Sequence, residues 1–340
     1  MVYNKYIGII GGTGTIGSII VKYLLQLQTH FHVLIGGRRS IKEISMSTFY
    51  NSERLKYNQM NYNNDVELDN FCSQCLLVIN AVGPSFKIND KIALHALRNN
   101  CHYIDIGGYG ILRDLLKPYE KSIEAQKLCF IIGVGWMPGI SGVFSKTIIE
   151  THLNSPENTN FNIYYGAVDN WSYSSTYDLA ASSMGKTRSY VYSHGKEIQV
   201  SPFRYTHHKF FPFIGHKKIC MPSFDEQLTQ LATSLKQIRK ISTFIMLNDY
   251  ISMGKFMFIK IFYKHNLNKA TLMLQDDYQR LVKKENKWGS VICQVSKIEP
   301  ERKIDTFYYL YTKNNLLYTA LPAVITTQYI LEGKTKIGLN

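Results

Sequence analysis

The sequence predicts an α/β protein in which a doubly wound parallel sheet is interrupted by an inserted α+β domain. From Lys5 to about residue 150, short β-branched runs alternate with segments of helical period. A glycine-rich loop follows the first run directly. After Pro138-Gly139 the pattern changes to longer alternating runs, which are typical of antiparallel strands. Alternating strands and helices predict parallel pairing, so the first part should be the doubly wound sheet.

Strands and helices alternate throughout the first domain. The strands are predicted at Lys5–Ile10, Phe31–Ile35, Arg54–Tyr62, Leu76–Val82, His102–Ile106 and Leu128–Val134. The helices are predicted at Thr15–Gln28, Asp65–Gln74, Asn89–Asn100 and Leu112–Gln126. The run Leu76–Val82 is almost wholly apolar, as expected where helices bury both faces of a parallel sheet.

The inserted domain is predicted to begin with a helix and to continue as a mixed or antiparallel sheet. Its helix is Ser141–His152, and its strands are Phe161–Val168, Ser189–Val200 with a turn at 193–195, Phe203–Phe213, Gly289–Lys297 and Arg302–Thr312. Asn170–Lys186 is a polar stretch rich in Ser and Tyr, and we expect Ile245–Phe262 to be a buried or interface helix. A last apolar helix, Ala320–Gly333, returns to the first domain. The predicted domains are therefore 1–138, 139–316 and the closing helix 317–340.

The loop at residues 11–17 has the pattern G-x-G-x-x-G in the context that a dinucleotide site requires, between a strand and a helix. Gly12 would allow the tight turn, Gly14 would leave room for the pyrophosphate, and Gly17 would let the helix approach the sheet. The backbone N–H groups at the start of the helix would bind the phosphates. We therefore expect Gly12, Thr13, Gly14, Thr15, Ile16 and Gly17 to bind the cofactor in a Rossmann domain.

The end of the second strand predicts which nucleotide binds. An NAD site normally has Asp or Glu there for the ribose 2′-hydroxyl. This sequence has Arg38 and Arg39 and no carboxylate. Two guanidinium groups suit a 2′-phosphate in charge and geometry, so NADP is the expected cofactor, with a solvated basic turn as the alternative.

Two further loops follow predicted strands at the same edge of the sheet. We expect Ala81, Val82, Gly83 and Pro84 to line the cofactor crevice. Asp105 lies near the end of the next predicted strand and has three possible roles: catalysis, orientation of a ribose or amide, or capping of the following helix.

Composition excludes several classes of protein. The net charge is +14, but the basic residues are spread along the chain and no nucleic-acid-binding motif is present. No apolar run reaches the roughly 18 residues that span a bilayer. Cys72 and Cys75 lack the second pair that a zinc site needs, so we expect no metal. We predict a cytoplasmic protein without nucleic-acid or membrane partners.

Five segments together resemble the saccharopine dehydrogenase-like reductases, a family that includes carboxynorspermidine dehydrogenase. They are the glycine loop, Asn80–Pro84, Tyr103–Asp105, Gly133–Gly139 and the closing helix. The resemblance covers about the first 150 residues and the last 25 and is vague between them. It implies NADPH-dependent hydride transfer to a C=N bond. Relatives that reduce enoyl-type or thiazoline-type bonds in natural-product pathways leave the reduced bond open.

Catalytic residues are less strongly indicated than the cofactor site. Asp105, Tyr177 and Lys186 are candidates for proton transfer or for binding a substrate carboxylate, with surface or capping roles as alternatives. Trp136 would line the nicotinamide pocket or pack in the core. The substrate is expected to be a small molecule or bound to a carrier protein, and the protein a homodimer. A non-catalytic NADP-binding or carrier-docking protein is the alternative function.

Overall fold

The computed structural model describes residues 5–27, 30–40, 52–108, 110–153, 156–184, 189–223, 226–263 and 265–340. The strands are β1 (Tyr6–Ile10), β2 (Val33–Gly37), β3 (Leu55–Gln59), β4 (Cys75–Asn80), β5 (His102–Asp105), β6 (Cys129–Ile132), β7 (Thr159–Val168), β8 (Ser189–Ser193), β9 (Lys196–Val200), β10 (His207–Phe211), β11 (His216–Pro222), β12 (Lys240–Leu247), β13 (Trp288–Ile298), β14 (Lys303–Thr312) and β15 (Gly338–Leu339).

The α-helices are α1 (Thr15–Gln26), α2 (Asp65–Ser73), α3 (Ser85–Ile88), α4 (Lys91–Arg98), α5 (Gly110–Leu116), α6 (Glu120–Ala125), α7 (Ile140–His152), α8 (Tyr173–Met184), α9 (Pro202–Tyr205), α10 (Glu226–Ser234), α11 (Tyr250–Phe262), α12 (Leu267–Lys284) and α13 (Asn315–Leu331). Short 3-10 turns lie at Lys117–Tyr119 and Pro156–Asn158.

The chain forms two compact units. Unit 1 comprises Met1–Gly139 and Leu316–Asn340, and unit 2 comprises Ile140–Asn315. The sequence predicts boundaries after residues 138 and 316, and the division in the structure falls after Gly139 and Asn315.

Unit 1 is a Rossmann-type parallel sheet of seven strands in the order β15-β6-β5-β4-β1-β2-β3. All six neighbouring pairs are parallel. The strand order reverses beside β1, which pairs with β2 along one edge and with β4 along the other. A crevice that can receive a ligand is expected at this switch point, at the carboxyl ends of the strands.

Helices bury both faces of this sheet. One face packs against α1 and α13 through side chains such as Ile20, Leu24 and Ala323. The other packs against α2, α4, α5 and α6 through side chains such as Phe71 and Ile92. The β-strands can therefore be apolar on both sides, as their sequences are.

Two predicted elements of unit 1 need correction, and one strand was missed. The single helix predicted at Leu112–Gln126 is two helices, α5 and α6, because the 3-10 turn with Pro118 between them breaks the α-helical hydrogen bonds. The helix predicted at Asn89–Asn100 is preceded by the short α3, and Asn89 has a left-handed backbone (φ 52°) that separates α3 from α4. The prediction also missed β15, in which two residues near the end of the chain pair with β6.

Unit 2 is built on a mixed sheet in the order β10-β11-β12-β7-β13-β14, with the β8–β9 hairpin attached to β12. Only the β12–β7 pair within this path is parallel. The sheet curls strongly, since side chains from its two edges meet over one face. Phe213, just after β10, stacks on Tyr309 of β14 with ring centroids 4.2 Å apart. The Lys209 ammonium lies 4.8 Å from the centroid of the Phe307 ring.

The helix predicted at Ile245–Phe262 of unit 2 is wrong. Ile245–Phe262 is not one helix, because β12 ends at Leu247 and α11 begins at Tyr250. The polar pair Asn248-Asp249 makes the turn, and the Asp249 carboxylate accepts a hydrogen bond from the Ser252 N–H as the helix N-cap. The polar stretch that begins at Asn170 contains the helix α8. Residues 185–186 of that stretch lie outside the described residues. In the part of the chain that the model describes, no helix is long and apolar enough to cross a membrane.

Candidate functional site

A crevice opens in unit 1 at the carboxyl ends of β1, β2, β3 and β4. The described residues that line it are Ile10, Gly11, Thr13, Gly14, Gly36, Gly37, Arg38, Arg39, Met60, Tyr62, Ala81, Val82 and Gly83. Two of them are arginines, and none is acidic. The crevice thus combines backbone groups, apolar walls and positive charge, which suits a phosphorylated ligand with an apolar ring.

The glycines of the loop have different structural roles. The turn depends on Gly11, whose φ is +84°, and not on Gly12 as the sequence predicts. Gly12 is needed for a different reason, because a Cβ there would lie 2.8 Å from Ile35. A Cβ on Gly17 would lie 2.2 Å from the Gly11 oxygen, so this glycine allows the close approach of α1 that was predicted. At Gly14 the nearest atom would be the Gly11 oxygen at 3.2 Å, and the space beyond is open to a ligand.

The N-terminus of α1 points its free backbone donors toward this crevice. Its N-cap is Gly14, which supplies no side-chain cap, and the first turn contains no acidic residue. The N–H groups of Thr15, Ile16 and Gly17 occupy the first turn, where an α-helix offers no internal acceptor. An uncapped helix N-terminus binds anions through these donors and the helix dipole.

Arg38 and Arg39 follow β2 at the rim of the crevice, and both side chains are exposed. Their backbone is fixed from β3: the Tyr57 hydroxyl donates to the carbonyls of Gly37 and Arg39, and the Gln59 amide donates to that of Arg38 at 3.4 Å. A hydrogen-bonded turn thus presents two exposed arginines at the position expected for a ribose 2′-phosphate.

The loop after β4 is held by a buried hydrogen-bond network. Asn80 accepts from the Val82 N–H at 3.0 Å and donates to the Asp105 carboxylate at 2.8 Å. That carboxylate also accepts from the Tyr103 hydroxyl at 2.6 Å and from the Gly108 N–H. Burial raises the pKa of the Asp105 carboxyl, while the hydrogen bonds from Tyr103, Asn80 and Gly108 oppose the rise. Asp105 is 2 % exposed, so its geometry favours a structural role, close to the capping alternative, over catalysis.

Trp136 lies in the loop after β6 and is almost fully buried. Its ring meets that of Tyr318 edge to face, with centroids 5.9 Å apart. This favours the packing alternative. Its indole Nε1–H has no hydrogen-bond partner among the described residues, so a polar donor is available beside the end of β6.

The crevice gathers part of the predicted cofactor site. Thr13, Gly14, Arg38, Arg39, Ala81, Val82 and Gly83 line it. The other predicted residues are not among the lining residues. Gly12 packs against Ile35, Thr15, Ile16 and Gly17 form the first turn of α1, Pro84 is the N-cap of α3, Asp105 belongs to the buried network, and Trp136 packs against Tyr318 in the loop after β6. The sequence did not indicate Met60 and Tyr62 as lining residues, because the strand predicted at Arg54–Tyr62 included both of them. β3 ends at Gln59, so both residues belong to a loop at the same edge.

The remaining catalytic candidates belong to unit 2. Tyr177 lies in α8, is 8 % exposed, and has its ring 6.1 Å from that of Tyr173. Lys186 lies outside the described residues.

Cys72 and Cys75 are free thiols packed in the core of unit 1. Burial raises the pKa of both thiols, and Cys101 donates to their backbone carbonyls at 3.1 and 3.2 Å. They act as small apolar side chains in this structure. No cluster of His, Cys, Asp and Glu in the described part of the chain could hold a metal ion.

Comparison with known proteins decides the nature of unit 1. Residues 7–129 match the saccharopine dehydrogenase NADP binding domain. These residues form a saccharopine dehydrogenase-type NADP-binding domain. The chain is accordingly an NADP-dependent oxidoreductase. All the described residues that line the crevice lie within the matched range.

Solved structures resemble the whole chain in fold. Apo saccharopine dehydrogenase (L-Glu forming) from Saccharomyces cerevisiae is 14% identical, with a TM-score of 0.66 over 98% of this chain and 93% of that one. The DAP dehydrogenase of C. glutamicum, in complex with DAP, is 11% identical, with a TM-score of 0.49 over 100% of this chain and 93% of that one. No curated protein matches the sequence. The first likeness shows that the saccharopine dehydrogenase fold includes unit 2 as well as the NADP-binding domain.

Proposed function

We propose that this oxidoreductase transfers a hydride from NADPH to the carbon of a C=N bond, in a small substrate or one bound to a carrier protein. The observation that supports it is a crevice with two arginines and no carboxylate in a domain of the saccharopine dehydrogenase type. The yeast enzyme of this fold is named for saccharopine and for forming L-glutamate, an amino acid. A carbon–nitrogen bond is therefore the bond that we carry over to this chain.

The lining of the crevice supports one orientation for NADP in our proposal. The pyrophosphate would lie on the N-terminus of α1, over the open position at Gly14. The 2′-phosphate would lie between Arg38 and Arg39, and the adenine against the apolar wall that includes Met60 and Val82. The bound cofactor supplies the hydride, and the protein has to hold it and to position the acceptor bond.

Cofactor titration tests the assignment of the two arginines. In Arg38→Ala/Arg39→Ala we expect the Kd for NADPH to rise about 100-fold, since each lost charged hydrogen bond costs about 1.5 kcal/mol or more. The Kd for NADH should change little. Lys121→Ala, which removes an exposed cation from α6, is the matched control. An unchanged preference for NADPH in the double variant would contradict the assignment.

A substrate panel tests the bond that is reduced. Loss of NADPH absorbance should follow addition of imines formed in place from 2-oxo acids and amines, and should be slower with enoyl thioesters. Turnover of enoyl thioesters alone would replace our proposal with the enoyl-type alternative. Tight NADPH binding with no turnover on any imine would contradict it.

A further inference from the structure

The side chain of Lys209 leaves the edge strand β10 and reaches across one face of the unit 2 sheet, the face that carries Tyr164. Its ammonium lies 3.3 Å from the Tyr164 hydroxyl and donates to Oε1 of Gln294. Tyr164 and Gln294 belong to β7 and β13 and are 2 % and 3 % exposed. Lys209 itself is half-buried, so its charge lies among buried groups and not in bulk solvent.

The hydrogen-bond partners of this ammonium are neutral. Of its three N–H donors, one is directed to Gln294 and one to Tyr164. Among the residues that the structure describes, no carboxylate lies within ion-pair distance of Lys209 Nζ, and the nearby Asp305 pairs with Lys303 at 3.2 Å. Burial lowers the pKa of the Lys209 ammonium, while Cys220 and Asp305 oppose the fall and Lys303 adds to it. The charge of Lys209 is therefore only partly compensated.

Lys218 shows how unit 2 holds a lysine that has a structural role. It lies directly opposite Lys209 on β11, is 2 % exposed, and pairs with Glu285 at 3.2 Å. Lys209 has no such carboxylate among the described residues. Gln294 does not depend on Lys209 for a donor either, because the Tyr164 hydroxyl also donates to its Oε1, at 3.1 Å. The contacts of the described chain thus leave a half-buried cation without a counter-charge, which is a costly arrangement.

Two aromatic rings border the ammonium. The ring centroids of Tyr164 and Phe307 each lie 4.8 Å from Lys209 Nζ, within the range of a cation–π contact. Phe307 is 42 % exposed, and Tyr309, on the same side of β14, is also exposed and stacks on Phe213. A solute that approaches from β14 would therefore meet a cation and an aromatic surface together.

We propose that Lys209 binds the carboxylate of a small organic acid, with the apolar part of the acid lying against Phe307 and Tyr309. The carboxylate would accept a hydrogen bond from the third N–H of the ammonium and would supply the counter-charge. A hydrogen bond between two charged groups is stronger than one between neutral groups, so an acid should bind in preference to its amide. The site belongs to unit 2 and is independent of the proposed reaction.

Calorimetric titration of the full chain with phenylacetate and with phenylacetamide tests this proposal. The two probes share a ring, and only the first is charged. We expect phenylacetate to bind at least tenfold more tightly. Lys209→Met, which nearly keeps the length of the side chain and removes its charge, should abolish that difference, and Lys209→Arg should retain it. Lys217→Met, at an exposed lysine of β11, should leave both affinities unchanged.

A second measurement needs no variant. Phenylacetate should slow the reductive methylation of Lys209 in the wild-type protein, as read by peptide mass spectrometry, and should leave that of Lys217 unchanged. No binding of phenylacetate, equal affinity for acid and amide, or no protection of Lys209 would overturn the proposal. An unchanged preference for the acid in Lys209→Met that is folded by circular dichroism would overturn it too. Loss of phenylacetate binding in Arg38→Ala/Arg39→Ala would instead assign the binding to the crevice of unit 1.

Discussion

Asp105 is the last residue of β5, and its carboxylate accepts hydrogen bonds from Tyr103, Asn80 and the Gly108 backbone. Through Asn80 these bonds extend to the Val82 N–H in the wall of the crevice. A buried carboxylate of this kind is a positioning residue: removing one acceptor leaves a donor without a partner in a dry environment.

The variant Asp105→Asn separates positioning from catalysis. Its amide nitrogen would face donors, so we expect a loss of about 1–3 kcal/mol in the free energy of unfolding and weaker NADPH binding. Urea unfolding and fluorescence titration measure both quantities. Tyr103→Phe, which removes one donor and adds no clash, should show a smaller loss. Full stability and NADPH affinity together with lost turnover would instead assign Asp105 to the chemistry.

Gly14 and Gly17 allow a second test within one loop. A Cβ on Gly14 would meet only the Gly11 oxygen, at 3.2 Å, whereas one on Gly17 would overlap that oxygen at 2.2 Å. We expect Gly14→Ala to fold with a stability change below about 1 kcal/mol and to bind NADPH at least tenfold more weakly. Gly17→Ala should lose about 2–3 kcal/mol of stability. Normal NADPH binding by Gly14→Ala would show that the pyrophosphate does not pass this position.

Individual residues differed in how far sequence could predict them. The glycine loop and Arg38-Arg39 follow strands that are apolar enough to place, so their position at the crevice was predictable. The need for Gly12 was not, because it depends on Ile35 from another strand. The network of Asp105 was also hidden, since a lone aspartate after a strand fits several roles until its partners are known.

Elements were predictable where their own residues determine them. The bounds of β13 and β14 lie close to those expected from their β-branched and aromatic runs. β12 and α11 were merged because both are apolar and short apolar runs have no period that separates strand from helix. β15 was missed because a strand of two residues has no pattern, and its pairing with β6 is set by the tertiary fold.

The junction of β12, α11 and α12 predicts a specific acid sensitivity. Burial would raise the pKa of Asp249, but hydrogen bonds from Arg280 and Ser252 outweigh it and lower that pKa to about 2. Because the folded pKa lies below the ordinary value of about 3.9, this carboxylate stabilises the fold above about pH 4. That contribution is lost as the pH falls through about 2.

Arg280→Met should therefore lower the free energy of unfolding by about 2 kcal/mol at pH 7 and reduce its fall between pH 4 and pH 2. Denaturant unfolding at several pH values measures this. Arg302→Met removes an exposed arginine that pairs with Glu299 and should cost less than about 0.5 kcal/mol. Equal losses in both variants would refute the assignment to Asp249.

At the scale of the molecule, each unit has its own sheet and its own core. The division was predictable from the change of pattern after Pro138-Gly139 and from the apolar closing helix. The curl of the unit 2 sheet was not, because it depends on contacts such as Phe213 with Tyr309 that join opposite edges.

Two units with separate cores predict a localised response to cofactor. NADPH at about 100 times its Kd should stabilise the unit that binds it by about 2.7 kcal/mol. In hydrogen exchange, amides of unit 1 should slow, above all those at residues 11–17 and 36–39, while those of β7 and β13 should not. Arg38→Ala/Arg39→Ala at the same NADPH concentration should show no slowing. Equal protection of both units would contradict a site confined to unit 1.

Unit 1 is formed by two segments of the sequence, one before unit 2 and one after it, and this affects the order in which the units can fold during synthesis. The side chains of Ala320, Ala323 and Val324 complete one layer of its core, yet they follow the 176 residues of unit 2 in order of synthesis. At roughly 5–20 residues per second, a ribosome needs on the order of 10–35 s to cross that interval. During this time Ile20, Val21 and Leu24 lack their partners in α13, and β6 lacks its neighbour β15. Unit 2 is thus the first part of the nascent chain that can finish folding, although unit 1 starts first.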